Sequence, residues 1–269
     1  MGEPDGRVQV LTRTDQSDIP EHVAVVRLER GKFNPLNRSM QDTLITVCRR
    51  IDTDRDIRAV VLYGGERALA AGADIKEFAP RTQADMLIDG DGISRAASAV
   101  ATIGKPVIAA AEGHVLGGGF ELAIAADFRV SSSDASWGLP EVQLGIMPAA
   151  GGTQRLPRIV GASVAKKLMF TGTPISGAEA HRVGLVDEVT EAGGALAAAL
   201  RLAATLVPMP PLALRAMKAA VDRSFDLALD VGLEYEQHVT HAIFATQDRI
   251  DAVGSFLENG AGKAVFHGE

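Results

Sequence analysis

The chain has 269 residues, 46% hydrophobic and 23% charged, a globular composition that excludes a disordered, collagen-like or coiled-coil protein. Its 27 basic and 34 acidic side chains leave a net charge of −7, and aromatic residues are only 4%, so neither the field nor the stacking surface suits nucleic acid. Length suggests one α/β domain with a helical appendage. Strand-like runs are expected at residues 8–11, 23–28, 59–63, 107–111 and 128–131, with helical patterns at 39–52 and 92–103 between them. In the first helix Met40, Leu44, Val47, Cys48 and Ile51 recur at helical spacing, which assigns the single cysteine to the core. Residues 85–92, rich in Asp and Gly, read as a solvated loop. Beyond Gly151 the strand signal nearly vanishes, and helices are expected at 163–170, 177–182, 195–206, 212–221, 227–244 and 249–257.

No fixed-period repeat is visible. One cysteine cannot form an internal disulfide, which favours a reducing compartment. The start, Met1-Gly2-Glu3-Pro4-Asp5-Gly6, lacks the basic and apolar regions of a secretory signal, and no uncharged apolar stretch nears the roughly 18 residues of a membrane span. The expected location is cytoplasmic, with no membrane partner.

Three stretches place small residues at a strand-to-helix junction beside a carboxylate. They are Ala70-Ala71-Gly72-Ala73-Asp74-Ile75-Lys76, then Gly117-Gly118-Gly119-Phe120-Glu121, expected to open a helix running to Ala126, then Gly138-Leu139-Pro140-Glu141. A glycine triplet alone marks a tight turn or close packing, and an acidic residue near a helix start is ordinary dipole chemistry. Together they offer more: backbone N–H groups at two junctions without obstructing side chains can hold a developing oxyanion, and Glu121 and Glu141 can serve as a paired base and acid. The triplet is not followed by Lys-Ser or Lys-Thr, and neither a G-x-G-x-x-G fingerprint nor a G-x-S-x-G elbow occurs. Glu234, His238 and His241 have metal-compatible helical spacing but read as a solvated face, and His114 reads as structural. The arginines at 38, 49, 50, 55 and 58 alternate with Asp42, Asp52, Asp54 and Asp56, a pattern of surface ion pairing rather than an RNA-binding patch.

These residues also carry a resemblance. The runs Glu66-Arg67-Ala68-Leu69-Ala70-Ala71-Gly72-Ala73-Asp74-Ile75-Lys76, Glu112-Gly113-His114-Val115-Leu116-Gly117-Gly118-Gly119-Phe120-Glu121-Leu122 and Leu139-Pro140-Glu141-Val142-Gln143-Leu144-Gly145-Ile146-Met147-Pro148 resemble the enoyl-CoA hydratase, or crotonase, family. Ala150-Gly151-Gly152-Thr153-Gln154-Arg155-Leu156, Phe170-Thr171-Gly172 and Phe244-Ala245-Thr246-Gln247-Asp248-Arg249 continue the match. The resemblance implies an α/β crotonase-like spiral of repeated ββα units over residues 1–195 with the acyl-CoA site, and a C-terminal helical oligomerisation region over 196–269 that builds a homotrimer or homohexamer.

It further implies that Ala73 and Gly118 supply the oxyanion-hole N–H groups, that Glu121 and Glu141 are catalytic, and that Ala71, Asp74, Ile75, Lys32, Phe33 and Lys76 contact coenzyme A. The implied reaction is syn hydration of a trans-2-enoyl-CoA to a 3-hydroxyacyl-CoA in fatty-acid degradation by β-oxidation or a related acyl-CoA route. No prosthetic group or metal is implied; coenzyme A arrives as the substrate's thioester. The alternatives are a Δ3,Δ2-enoyl-CoA isomerase, whose family members generally lack one of the glutamates, and a non-catalytic acyl-CoA-binding protein. Gly31, Phe120 and Trp137 depart from the family pattern and are expected to reshape the acyl pocket or the coenzyme path.

Overall fold

The computed structural model describes residues 6–269; of the polar N-terminal run, Met1 to Asp5 lie outside the described residues. The chain begins with β1 (Arg7–Leu11), β2 (Val23–Glu29) and α1 (Arg38–Thr53). Then come β3 (Ala59–Tyr63), β4 (Ala68–Ala70), α2 (Ile75–Phe78), α3 (Gln83–Asp89) and α4 (Gly92–Ala101). A second passage follows as β5 (Val107–Ala111), β6 (His114–Leu116) and α5 (Gly118–Ala123). A third runs β7 (Phe128–Ser132), β8 (Ser136–Gly138) and a 3-10 turn, Pro140–Leu144. The remainder is α6 (Gly152–Val160), α7 (Ala162–Thr171), β9 (Ile175–Ser176), α8 (Gly177–Arg182), β10 (Glu188–Thr190), α9 (Ala195–Leu206), α10 (Pro211–Arg223), α11 (Leu229–Phe244) and α12 (Gln247–Asn259).

The strands form two sheets. One has the order β1-β2-β3-β5-β7-β10, parallel except for β1, and the other β4-β6-β8-β9, parallel except for β9. In the pairs β3/β4, β5/β6 and β7/β8 the first strand joins the larger sheet and the second the smaller, and a helix or 3-10 turn follows. This is the expected ββα spiral. Its units start at Ala59, Val107 and Phe128, spaced unevenly because α2 to α4 sit between the first two.

β3 and β5 are buried at every position because both faces of the larger sheet are covered. Val60, Leu62, Val107, Ala109 and Ala111 join one core with Met40, Leu44, Cys48 and Ile51 of α1. Their alternate neighbours, Ala59, Val61, Tyr63, Ile108 and Ala110, join a second core with Ala195, Ala198, Ala199 and Ala203 of α9. Helix α1 starts on Asn37, whose side chain accepts from Met40 N, and its apolar stripe buries Cys48, where desolvation pushes the thiol up to about 12.

Several local expectations are corrected. Residues 85–92 are not a loop: Gln83–Asp89 is helical, closed by a capping box in which Thr82 and Asp85 exchange side chain-to-backbone bonds. Helix α5 stops at Ala123 rather than Ala126, with Ile124 as its C-cap. Helix α6 was hidden behind Gly151, Gly152 and Pro157. Four strands, β4, β6, β8 and β9, form a whole sheet from segments of two or three residues, too short for a period-2 signal. Helix α9 packs on the larger sheet, so the core extends past residue 195. Among the described residues no single helix is long and apolar enough to cross a membrane.

Candidate active site

The glycine triplet has separate local reasons. Gly117 sits at φ 53°, ψ −127°, as N-cap of α5, and a Cβ on Gly119 would meet Ala70 O of β4 at 2.1 Å. Stripped of side chains, the start of α5 lies against the turn that follows β4. A Cβ on Gly72 would stand 3.6 Å from Gly118 N, and Gly72 itself has φ +99°.

That juxtaposition brings Ala73 beside Gly118. Leu36 N donates to Gly72 O (2.8 Å) and Asp74 N donates to Leu36 O (3.3 Å), a parallel bridge that turns Ala73's own N–H the other way. Gly118 is the first residue of α5, whose first-turn N–H groups have no partner within the helix. Both residues line a cavity of ≈ 430 Å³, together with Ala71, Gly72, Asp74, Ile75, Glu121 and Glu141.

The two carboxylates meet this cavity in unlike settings. Glu121, 3% exposed on α5, has Oε1 held by two backbone donors, Ala150 N (2.7 Å) and Gly152 N (2.8 Å). Burial pushes its carboxyl upward, and those two N–H groups and the Arg155 charge pull the other way. Glu141, in the 3-10 turn begun by Pro140, has a buried Oε2 without a hydrogen-bond partner among the described residues. Desolvation, against a backbone hydrogen bond and with the Glu121 charge adding to it, raises Glu141 to about 7. Burial thus raises both carboxyls, but at Glu121 fixed donors offset part of the rise, whereas Glu141 holds its proton up to neutrality.

The remaining candidates divide. Asp74 borders the cavity, but its carboxylate caps α2 through Lys76 N (2.9 Å) and pairs with Arg30 at 2.7 Å, both partners buried. Desolvation opposes these contacts, yet they prevail and hold Asp74 below the usual carboxylate range. Lys32, Phe33 and Lys76 lie outside the cavity lining; Lys32 Nζ stands over the Phe33 ring, which meets His114 edge-on at 5.1 Å. Missed from the sequence were Leu36, Met86, Ile93, Leu144, Ile146 and Met147, which supply much of the apolar lining. Their signal is faint, since they come from four separate stretches of the chain. Phe120 and Trp137 do not shape the cavity: both are fully buried and packed on each other, and Trp137 Nε1 donates to Ser131 Oγ. Gly31 serves a turn at φ +54°, which proline cannot adopt. No three metal-ligating side chains gather among the described residues, and His238 Nδ1 bonds Glu234 O on an exposed helix face.

The profile of the enoyl-CoA hydratase/isomerase family matches residues 18–268. The chain belongs to this family. Its curated relatives include a short-chain-enoyl-CoA hydratase of Clostridium acetobutylicum, 39% identical over 238 residues, covering 88% of this chain and 91% of that protein. A 2,3-dehydroadipyl-CoA hydratase of Escherichia coli is 39% identical over 239 residues, covering 88% and 93%. Among solved structures, the enoyl-CoA hydratase of Bacillus anthracis superimposes with a TM-score of 0.90 at 34% identity, over 97% of this chain and 99% of that one. The crotonase fold is therefore shared along nearly the whole family domain.

Proposed function

We propose that the protein hydrates a trans-2-enoyl thioester of coenzyme A by syn addition, releasing a 3-hydroxyacyl-CoA for fatty-acid degradation or a related route. The supporting observation is the unlike pair of carboxylates on one cavity, Glu121 gripped by two N–H groups and Glu141 raised to about 7, beside the backbone donors of Ala73 and Gly118. The thioester oxygen accepts from the Ala73 and Gly118 N–H groups, which form the oxyanion hole. Water bound at the free oxygen of Glu121 loses a proton to it as its oxygen attacks C3. The negative charge that grows on the thioester oxygen is lowered by the two donors and by the N-terminal dipole of α5. Glu141 delivers its proton to C2, and exchange with solvent resets both carboxyls. Coenzyme A is carried in with the substrate, past Ala71 and Ile75.

The exposed apolar residues of α10 to α12, Met217, Val221, Phe225, Leu229, Leu233 and Phe244 among them, support a C-terminal region that assembles trimers or hexamers. The unpaired cysteine favours a cytoplasmic site of action. Following loss of the 2-enoyl absorbance with crotonyl-CoA tests the reading: Glu121→Gln and Glu141→Gln should each lower kcat about 10²- to 10⁴-fold. Faster turnover of a 3-enoyl-CoA would instead favour isomerisation, and acyl-CoA binding without turnover would favour a carrier.

A further inference from the structure

Glu121 is aimed by backbone alone. Its Oε1 accepts from Ala150 and Gly152, which flank Gly151 at φ +115°, and Gly151 gives α6 no side-chain cap. A glycine-centred turn of this kind has little stiffness of its own. Arg155 supplies it. From the first turn of α6 its side chain runs back against the helix direction, and Nη1 donates to Ala150 O at 3.1 Å. It lies so closely over Gly151 that a Cβ there would fall 2.1 Å from Nη1. A cation over a helix N-terminus opposes the macrodipole, so the stability of α6 does not explain its presence. Glu121 on α5 and Asp222 on α10 act on its charge, and Asp222 borders the larger cavity that Arg155 lines together with Asp127, Arg129, Arg158, Lys218 and Asp226.

We propose that Arg155 is a positioning residue for the hydration: by holding the Ala150 carbonyl it fixes the turn whose two N–H groups aim the Glu121 carboxylate. Its charge acts in the same direction: burial raises Glu121 and lowers Arg155, and each charge offsets part of the other's desolvation. The inference rests on Glu121 being the base of the proposed reaction.

The test uses Arg155→Gln and Arg155→Lys in the full-length protein with crotonyl-CoA. In Arg155→Gln, kcat should fall about 10- to 100-fold with KM changed less than about 3-fold. The acid limb of kcat/KM should move to higher pH because a cation beside Glu121 is gone. Arg155→Lys keeps the charge but ends in a differently placed ammonium without the planar guanidinium that lies over Gly151, so its acid limb should stay near that of the parent while kcat remains reduced. Parental kcat and an unmoved acid limb in Arg155→Gln would overturn the proposal, as would losses of kcat that merely track lost thermal stability in both variants. If Arg155→Gln does not fold, parental kcat in Arg155→Lys overturns it, and reduced kcat with an unmoved acid limb supports it. A 13C titration of the Glu121 carboxyl separates the two ideas without turnover. A parent that hydrates nothing, with a Glu121 titration that still rises in Arg155→Gln, sinks the reaction and keeps the positioning. An active parent with an unmoved Glu121 titration sinks the positioning alone.

Discussion

Helices α5 and α11 treat apolar surface in opposite ways. All six residues of α5 are buried, and the helix is wedged against β4 so closely that Gly119 has no room for a methyl group. None of the 16 residues of α11 is buried, and Leu229, Val231, Leu233 and Phe244 stand open to solvent. The spiral thus finishes its packing within one chain, whereas the C-terminal helices leave apolar side chains on the surface, the surface that the proposed assembly would cover.

The comparison breaks most readily at the two carboxylates, where the expected effects are largest. Either Glu→Gln change should abolish most hydration while leaving the emission of the single tryptophan, Trp137, as in the parent, because that ring is packed in the core away from the cavity. The pH profile should sharpen it: with Glu141 acting as the acid, kcat/KM should fall about tenfold per pH unit above about 7. Next, Gly119→Ala drives a methyl into the Ala70 carbonyl and should cost about 3 kcal/mol, read as a lowered Tm with loss of activity. On the other side, Leu229→Ser with Phe244→Ser should lower the assembly state in sedimentation while the core stays folded.

The smallest effect concerns stability. Glu141 binds its proton more tightly folded than unfolded, so its favourable contribution is complete below the ordinary carboxylate range and is lost as pH rises through about 7. Glu141→Gln removes that titration. The Tm of the variant relative to the parent should therefore be higher at about pH 8 than at about pH 5, and a constant difference would count against a desolvated Glu141.

Much of this was legible beforehand where a signal extends over many residues. Strands β2, β3, β5 and β7 announce themselves by apolar runs, and α1 by Met40, Leu44, Cys48 and Ile51. The smaller sheet was not legible, since its strands borrow stability from neighbours brought in by the spiral rather than from their own pattern. Helix α3 is hidden by its composition, because Asp85, a residue type that favours loops, here closes a capping box with Thr82. At the site, the four residues that the motifs single out, Ala73, Gly118, Glu121 and Glu141, line one cavity. The motifs did not reveal that Asp74 is occupied by Arg30, or that Arg155 reaches back to Ala150, because both contacts depend on side-chain direction.

The burial of Cys48 has a practical consequence. As the sole thiol, sealed beneath α1 and reluctant to ionise, it should resist alkylating reagents for as long as the fold persists. Its labelling rate under mild denaturant would then report how often the molecule opens, giving a clock for global unfolding without any engineered probe.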